Sequence, residues 1–340
     1  MKFLDIKKLF ATLAVILCSV VTNAQKFEVD GLFYTITSES DLTVDCSGMN
    51  NSNENSVVTI PETVTYDSKT YSVTGIGDNT FIFCTGVTSI TIPNSISKIG
   101  NQAFMGCSGV TSITVSPNNT AYDSRNNCNA IIETATNTLI LGCKHTIIPN
   151  TVTTIGNYAF SDCTFSSITI PNSVTTIESF AFGNCEELTS VTIGNGVRTI
   201  GDNPFGGNHS LRSIYILSET PPSVTRNSFS DSYLARFATL YVPQGCLSAY
   251  QTARFWRDFK FKNIVEHNAT GIENFKEKTI PLKITIAGIQ LSAAKGKTVA
   301  VYTVNGTCVA NISNYTGEEI VLEKGVYIVR VENETIKIKL

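Results

Sequence analysis

The side chains best suited to chemistry in this 340-residue chain are ten cysteines and three histidines. Thiolates and imidazoles bind metal ions and act as nucleophiles or bases. Their spacing argues against these roles, because no C-x-x-C pair occurs and His145, His209 and His267 have no ligand partner at a useful spacing. No G-x-S-x-G, H-E-x-x-H or phosphate-loop motif is present. We therefore predict no catalytic residue, no metal site and no cofactor, and expect that the protein is not an enzyme.

Four cysteines recur at one place in a sequence pattern, three residues after a phenylalanine: Cys84, Cys107, Cys163 and Cys185. Two further copies of the pattern carry Asn208 and Ser232 there, so a small polar or thiol side chain is sufficient. We predict buried, reduced cysteines, since free cysteine is among the most buried residue types. Cys18 lies in a segment that we expect to be cleaved, and the odd number left cannot all pair within one molecule. Five cysteines fall outside the pattern: Cys46, Cys128, Cys143, Cys246 and Cys308.

An internal repeat of about 23 residues positions these cysteines. Residues 88–110, 166–188 and 189–211 all fit the template I-x-I-P-x-x-V-x-x-I-G-x-x-A-F-x-x-C-x-x-L. A period of this size indicates a solenoid, because one repeat cannot bury its apolar face alone and stacked neighbours can.

Each part of the template predicts a local structure. The alternating I-x-I is typical of a strand with one buried face, and the proline after it ends the strand because it has no N–H for a sheet. The V-x-x-I-G-x-x-A-F part has apolar residues three and four apart, so we expect a short helical or 3-10 return segment. Phenylalanines at one template position should stack as a spine inside the coil: Phe81, Phe104, Phe160, Phe182, Phe205 and Phe229.

The repeats resemble a known family. ITIPNSVTTIESFAFGNC (168–185), ITIPNSISKIGNQAFMGC (90–107) and IIPNTVTTIGNYAFSDC (147–163) are similar to the BspA-like leucine-rich repeats common on bacterial surfaces. The resemblance covers roughly residues 56–266. It implies a leucine-rich-repeat solenoid of short parallel strands with irregular or 3-10 return segments. The third repeat, from Thr111, departs from the template, and we expect a strand and then a hairpin that turns near Thr136 and Asn137.

The N-terminal part of the chain predicts export and a cap. Residues 1–24 have lysines before an apolar run and small residues before Gln25, which is typical of a cleaved signal peptide. The apolar run is too short to span a membrane. Residues 25–55 are predicted to cap the solenoid with a β-hairpin that turns at Asp30-Gly31. The leucine-rich repeats are assigned to residues 56–237.

The C-terminal part should contain a second cap and a second domain. Residues 238–266 resemble the closing segment of this class, with Trp256 covering the last coil. Residues 267–279 are a predicted linker, and residues 280–340 alternate in a way that fits a small antiparallel β-sandwich. VAVYTVNGTCV (299–309), LEKGVYIVRV (322–331) and the terminal KIKL resemble the C-terminal sorting domain of type IX secretion clients of the Bacteroidetes. That resemblance implies delivery to the cell surface.

A candidate binding surface follows from the strand alternation, because the middle residue of I-x-I points away from the core. Stacked by repeat, these residues are Thr59, Thr91, Thr114, Ile147, Thr169, Thr192, Tyr215 and Tyr241. A flanking column is Ser89, Ser112, His145, Ser167, Ser190, Ser213 and Thr239. Eight rungs would form a surface about 35 Å long. Tyr215 and Tyr241 are either a binding hot spot or a stabilising cross-strand pair, and the sequence favours neither.

Composition limits the class of partner. The formal net charge is −3 and 16% of residues are charged, which argues against nucleic acid because that partner needs a basic face. We expect a monomer that is secreted or attached to the outer cell surface. The resemblance implies adhesion to host matrix proteins or other cells through the solenoid sheet. The alternative is a surface component that binds glycans or captures nutrients.

Overall fold

The computed structural model describes residues 25–50, 56–267, 282–284, 288–291, 294–303, 308–322, 326–331 and 334–339. The predicted signal peptide and most of the predicted linker lie outside these residues. Among the residues described, no helix has the length and apolar character needed to cross a membrane.

A mixed sheet closes the N-terminal end of the solenoid. Its hairpin turns at Asp30 and Gly31, which both have positive φ (49° and 79°), as the predicted two-residue turn requires. The first strands of the chain are β1 (Lys26–Val29), β2 (Leu32–Ser38), β3 (Thr43–Met49), β4 (Ser56–Thr59), β5 (Thr63–Tyr66) and β6 (Lys69–Ile76). All but β4 join one sheet in the order β1-β2-β3-β6-β5. Phe27 stacks on Tyr66 across it, with ring centroids 4.2 Å apart.

The middle of the chain contains the second and third repeats. Its strands are β7 (Val87–Ile92), β8 (Lys98–Ile99), β9 (Ser112–Val115), β10 (Tyr122–Asp123), β11 (Ile131–Glu133), β12 (Thr138–Leu141) and β13 (Thr154–Ile155). The predicted hairpin of the third repeat is present as the antiparallel pair β11 and β12. A short 3-10 turn, Arg125–Asn127, precedes it.

The regular repeats and the C-terminal cap follow. Their strands are β14 (Ser167–Ile170), β15 (Thr176–Ile177), β16 (Ser190–Ile193), β17 (Thr199–Ile200), β18 (Ser213–Ile216), β19 (Ser223–Val224), β20 (Thr239–Pro243) and β21 (Asn263–His267). The helices are short: α1 (Ser232–Phe237), α2 (Leu247–Thr252) and a 3-10 turn, Trp256–Asp258. Trp256 is buried against Phe229 and donates from Nε1 to the Pro222 carbonyl at 2.7 Å, so it covers the last coil.

The return segments are irregular, as the resemblance implies, and contain short strands in place of the helical or 3-10 turn that the spacing predicts. The V-x-x-I part forms the two-residue strands β13, β15, β17 and β19, which pair in parallel from one repeat to the next and continue from β12 of the hairpin. Two residues then take positive φ in each of the return turns that contain Phe81, Phe104, Phe160, Phe182 and Phe205; in one of them these are Tyr158 (57°) and Asp162 (61°). Residues in the left-handed conformation are not compatible with a right-handed helix, whereas a tight turn accommodates them. Backbone N–H groups in these turns bond to the next coil, as Phe160 does to Ala181 at 2.8 Å.

The phenylalanine spine is confirmed within the regular repeats. Phe160, Phe182 and Phe205 are fully buried, and their rings stack at centroid distances of 5.1 and 5.4 Å. Phe81 and Phe104 stack at 5.3 Å in the earlier repeats. Gly142 takes up the space beside Phe160 in the third repeat, where a Cβ would lie 2.1 Å from the ring.

The buried residues form two cores in the solenoid, and the hairpin of the third repeat lies between them. Ile131 and Leu141 belong to the core that begins at Phe27. Ile132 and Leu139 belong to the core that ends at Phe259. Successive side chains of a strand point to opposite faces, so this hairpin supplies one wall to each core.

The C-terminal strands form two antiparallel sheets around a third core. They are β22 (Leu282–Ile284), β23 (Gly288–Leu291), β24 (Val299–Thr303), β25 (Cys308–Ile312), β26 (Ile320–Val321), β27 (Val326–Val331) and β28 (Glu334–Lys339). The sheet orders are β22-β23-β26 and β25-β24-β27-β28. Leu291, Val301, Tyr315 and Val329 are fully buried between them.

Candidate binding surface

The outward column of the template strands is present but divided in two. In the three-stranded sheet β4-β7-β9, Thr59, Thr91 and Thr114 lie side by side. In the five-stranded sheet, the same position aligns Thr169, Thr192, Tyr215 and Tyr241. We call the outward side of this five-stranded sheet (β14-β16-β18-β20-β21) the front surface. All of these side chains are at least partly exposed.

The break lies at the third repeat, where His145 and Ile147 were expected to add a rung. Residues 145–147 are not in a strand. The Ile147 N–H instead donates to the Cys128 carbonyl at 3.1 Å, and the Thr146 hydroxyl donates to the Asn129 carbonyl at 2.6 Å. The expected eight-rung surface is therefore two shorter ones.

Asn129 closes the open edge of β9 at this break. Its Oδ1 accepts from the Ile113 N–H at 2.6 Å, and its Nδ2 donates to the Thr111 carbonyl at 2.8 Å. A side-chain amide offers the same donor and acceptor as a peptide group, so Asn129 takes the place of the missing strand. Nothing in the repeat template signals this substitution.

Tyr215 and Tyr241 form the most distinctive feature of the front surface. Their rings stack with centroids 4.3 Å apart and planes 11° from parallel. The His267 ring meets the Tyr215 ring edge to face at 5.6 Å. Burial, together with Tyr241, raises the pKa of the Tyr215 hydroxyl. Both side chains are half-buried, and each ring covers one face of the other.

The last rung of this surface was not predicted from the sequence. β21 adds Val265 beside Tyr241 and Asn263 beside Thr239. Val265 is 42% exposed. The segment has no proline after its strand and follows the irregular cap, so it does not match the template. Its two adjacent β-branched residues, Ile264 and Val265, were the available signal for a strand.

The patterned cysteines lie buried in the interior as thiols. Cys185 donates from Sγ to the Phe160 carbonyl at 3.1 Å, and Cys107 donates to the Phe81 carbonyl at the same distance. Burial raises the pKa of Cys107 and of Cys185 to about 12. A thiol that stays protonated is a poor nucleophile and metal ligand, so these side chains hold adjacent coils together.

Three of the remaining cysteines are also free and buried: Cys46, Cys128 and Cys143. Cys246 is free and partly exposed, and Cys308 has no described side chain. Among the residues described, no group of three or more His, Cys, Asp or Glu side chains is placed to hold a metal ion.

These features define a family. The chain belongs to the BspA-type leucine-rich repeat proteins: the family model matches residues 49–139 and 140–246, with six copies of the repeat. No curated protein matches the chain.

The fold is also similar to that of solved bacterial leucine-rich repeat proteins. A leucine-rich repeat protein from Bacteroides ovatus is 27% identical, with a TM-score of 0.39 over 70% of this chain and 52% of that one. This chain thus spans about half the length of that protein. A leucine-rich cell surface protein from Faecalibacterium prausnitzii is 16% identical, with a TM-score of 0.39 over 72% of this chain and 95% of that one. The leucine-rich repeat protein of T. pallidum is 16% identical, with a TM-score of 0.30 over 72% and 84%.

Proposed function

We propose that this protein is exported and binds an extracellular protein through the front surface of its solenoid. The family to which the repeats belong supports a role in protein interaction. The observation that carries the assignment to this surface is the stacked pair of Tyr215 and Tyr241 on its last regular rungs. Tyrosine is enriched among the residues that dominate binding energy at protein interfaces.

The packing of these tyrosines favours a protein over a glycan as the partner. A sugar stacks on an open aromatic face, whereas Tyr215 and Tyr241 cover one face of each other and His267 approaches the pair from the side. The exposed parts of these two half-buried side chains suit hydrogen bonds and side-chain packing at a protein surface. Thr169 and Thr192 extend the surface with small polar side chains.

The location and finer function follow from the sequence. The signal-peptide pattern at residues 1–24 supports export, and the resemblance of residues 280–340 to a sorting domain supports attachment to the outer surface. Adhesion to host matrix proteins or other cells is the function that we propose for the surface. The residue types and their spacing support a binding protein rather than an enzyme.

The test is a binding screen of the purified chain against matrix proteins and a glycan array. The Tyr215→Ala/Tyr241→Ala variant should lose at least tenfold in affinity for the protein partner, as expected when a hot spot is truncated. A matched control is Tyr158→Ala/Phe180→Ala, which removes a similar stacked pair (5.3 Å, 2°) from the return turns. Equal loss in both variants, or full retention in the first, would contradict the proposal. Binding to a neutral glycan that is lost in the Tyr215→Ala/Tyr241→Ala variant would support the alternative of glycan capture.

A further inference from the structure

Charge is distributed unevenly along the solenoid. Residues 25–194 contain 15 acidic and 5 basic side chains, whereas residues 195–262 contain 8 basic and 4 acidic ones. The formal net charge of −3 for the whole chain does not reveal this difference in charge between the two regions. The C-terminal third of the solenoid is therefore the part to which an anion is attracted.

Two arginines in this region converge on one aromatic ring. The guanidinium carbons of Arg212 and Arg236 lie 5.4 and 5.2 Å from the centre of the Phe237 ring. Arg212 also lies 5.3 Å from the Tyr233 ring, which is itself 5.2 Å from the ring of His209. We call these five residues the arginine patch. Arg212, Arg236 and His209 are exposed to solvent.

Local structure holds the patch in place. The Arg212 Nη1 donates to the carbonyls of His209 and Leu211 at 3.0 and 3.1 Å, which fixes the guanidinium beside the aromatic rings. Tyr233 and Phe237 are four residues apart on α1, so they lie on one side of the helix and their rings meet at 4.5 Å. The patch adjoins the start of β18 and is separate from Tyr215 and Tyr241.

The positive charges of the patch have no carboxylate partner. Among the described residues, neither Arg212 nor Arg236 lies within 4.0 Å of an acidic oxygen, as the four ion pairs all involve other side chains. The nearest acid in the sequence, Asp231, is engaged elsewhere: its Oδ1 accepts from the Tyr233 N–H and its Oδ2 from the Gly207 N–H. Two guanidinium groups beside one ring, neither paired with a carboxylate, suit an oxyanion.

We propose that the arginine patch binds an acidic polysaccharide through its carboxylate or sulfate groups. Planar guanidinium groups form paired hydrogen bonds with such oxyanions. Tyr233 and Phe237 add the apolar surface that sugar rings pack against. Nucleic acid is less suited, since its affinity for proteins comes from many phosphate contacts and two arginines supply few.

The experiment measures binding of the full chain to heparin as the sulfated probe, to polygalacturonate as the carboxylated probe and to neutral dextran. We expect binding to one or both acidic polymers, weakening as salt is added, and none to dextran. Arg212→Gln/Arg236→Gln should lose at least tenfold in affinity. The single substitution Arg236→Gln lies at an exposed position and does not threaten folding. It should lower the affinity severalfold.

The matched control is Arg198→Gln/Arg226→Gln, which changes the net charge equally. Arg198 donates to the Asn195 and Val197 carbonyls as Arg212 does to its own neighbours, but no aromatic ring contact is found for it in the described structure. This control should retain binding. Equal loss in the two double variants would overturn the proposal, because general charge would then explain binding. Binding to duplex DNA alone, or self-association through the acidic N-terminal region with no polymer bound, would overturn it too.

Discussion

The side-chain amide of Asn208 donates from Nδ2 to the main-chain carbonyl of Phe182, 2.9 Å away in the preceding repeat. Its Oδ1 accepts from the Cys185 N–H at 2.7 Å. The thiol of Cys185 makes the equivalent bond one coil earlier, to the Phe160 carbonyl. Asparagine can replace cysteine in this column because each is small and can donate a hydrogen bond to the neighbouring coil.

Replacing Asn208 with alanine should therefore destabilise the solenoid. It leaves the buried Phe182 carbonyl and Cys185 N–H without these partners, and the expected cost is about 1–3 kcal/mol. Asn208→Cys should cost less, because the thiol restores the bond seen in other repeats. Urea unfolding followed by Trp256 fluorescence measures both, since Trp256 is the sole tryptophan and is buried. Equal stability of Asn208→Ala and the natural chain would refute this role.

Gly142→Ala should destabilise the third repeat, since the new Cβ would lie 2.1 Å from Phe160 Cε1. Overpacking of this kind costs about 1–3 kcal/mol. Replacing Phe160 with leucine should make room for the new Cβ. The Gly142→Ala/Phe160→Leu variant should therefore lose less unfolding free energy than the sum of the losses in the two single variants. The measurement is a double-mutant cycle from urea midpoints. Simple additivity would show that the two positions do not touch.

Stability should fall in alkaline solution. In the unfolded chain a thiol has a pKa near 8.5, whereas burial raises that of Cys185 to about 12 in the folded protein. Above pH 8.5 the unfolded state releases protons that the folded state keeps, so each such thiol lowers stability by about 1.4 kcal/mol per pH unit. Below that pH its contribution is constant. Cys185→Ser should show a shallower decline in urea midpoints between pH 8 and 10, and an unchanged slope would count against the argument.

The tyrosine pair should contribute to folding as well as to binding. A stacked aromatic pair is worth about 0.5–1.5 kcal/mol beyond its buried area. A double-mutant cycle of Tyr215→Ala and Tyr241→Ala on unfolding free energy measures that coupling. A coupling in this range with binding retained in the double variant would assign the pair to stabilisation alone.

Asn129→Ala should loosen the edge of β9 without unfolding the chain. The Ile113 N–H would lose its acceptor at 2.6 Å, so its hydrogen exchange should become faster by about tenfold or more. The Ile168 amide, in β14 on the other side of the break, serves as the control and should be unchanged. Equal exchange at Ile113 in both proteins would show that Asn129 is not needed to protect the edge.

The regular parts of the fold could be predicted from sequence because they repeat. The position of Phe182 in the spine, and of Thr192 and Tyr215 in one outward column, follows from the period and from strand alternation. The return turns could not, because two-residue strands are too short to show a period and left-handed residues such as Tyr158 carry no glycine signal. The break at His145 was equally hidden, since the residue that replaces the strand, Asn129, acts through its side chain.

The arginine patch was missed for a different reason. Arg212 and Arg236 are 24 residues apart and belong to different repeats, and only the position of α1 brings them to one ring. The uneven distribution of charge along the chain was the available signal. It is not visible in the net charge of the whole chain.

The hairpin of the third repeat divides the apolar interior of the solenoid, so we expect two cooperative units rather than one. Ile131 faces one core and Ile132 the other. The buried Gly106 N–H, which donates to Ser161 Oγ at 3.1 Å, is a direct contact between the two sides that would have to break. Heating should then produce two separable transitions, of which Trp256 fluorescence reports only the C-terminal one. Repeats could be added or lost on one side of this hairpin without altering the packing on the other side. The irregular third repeat is therefore the natural point at which the number of repeats can change.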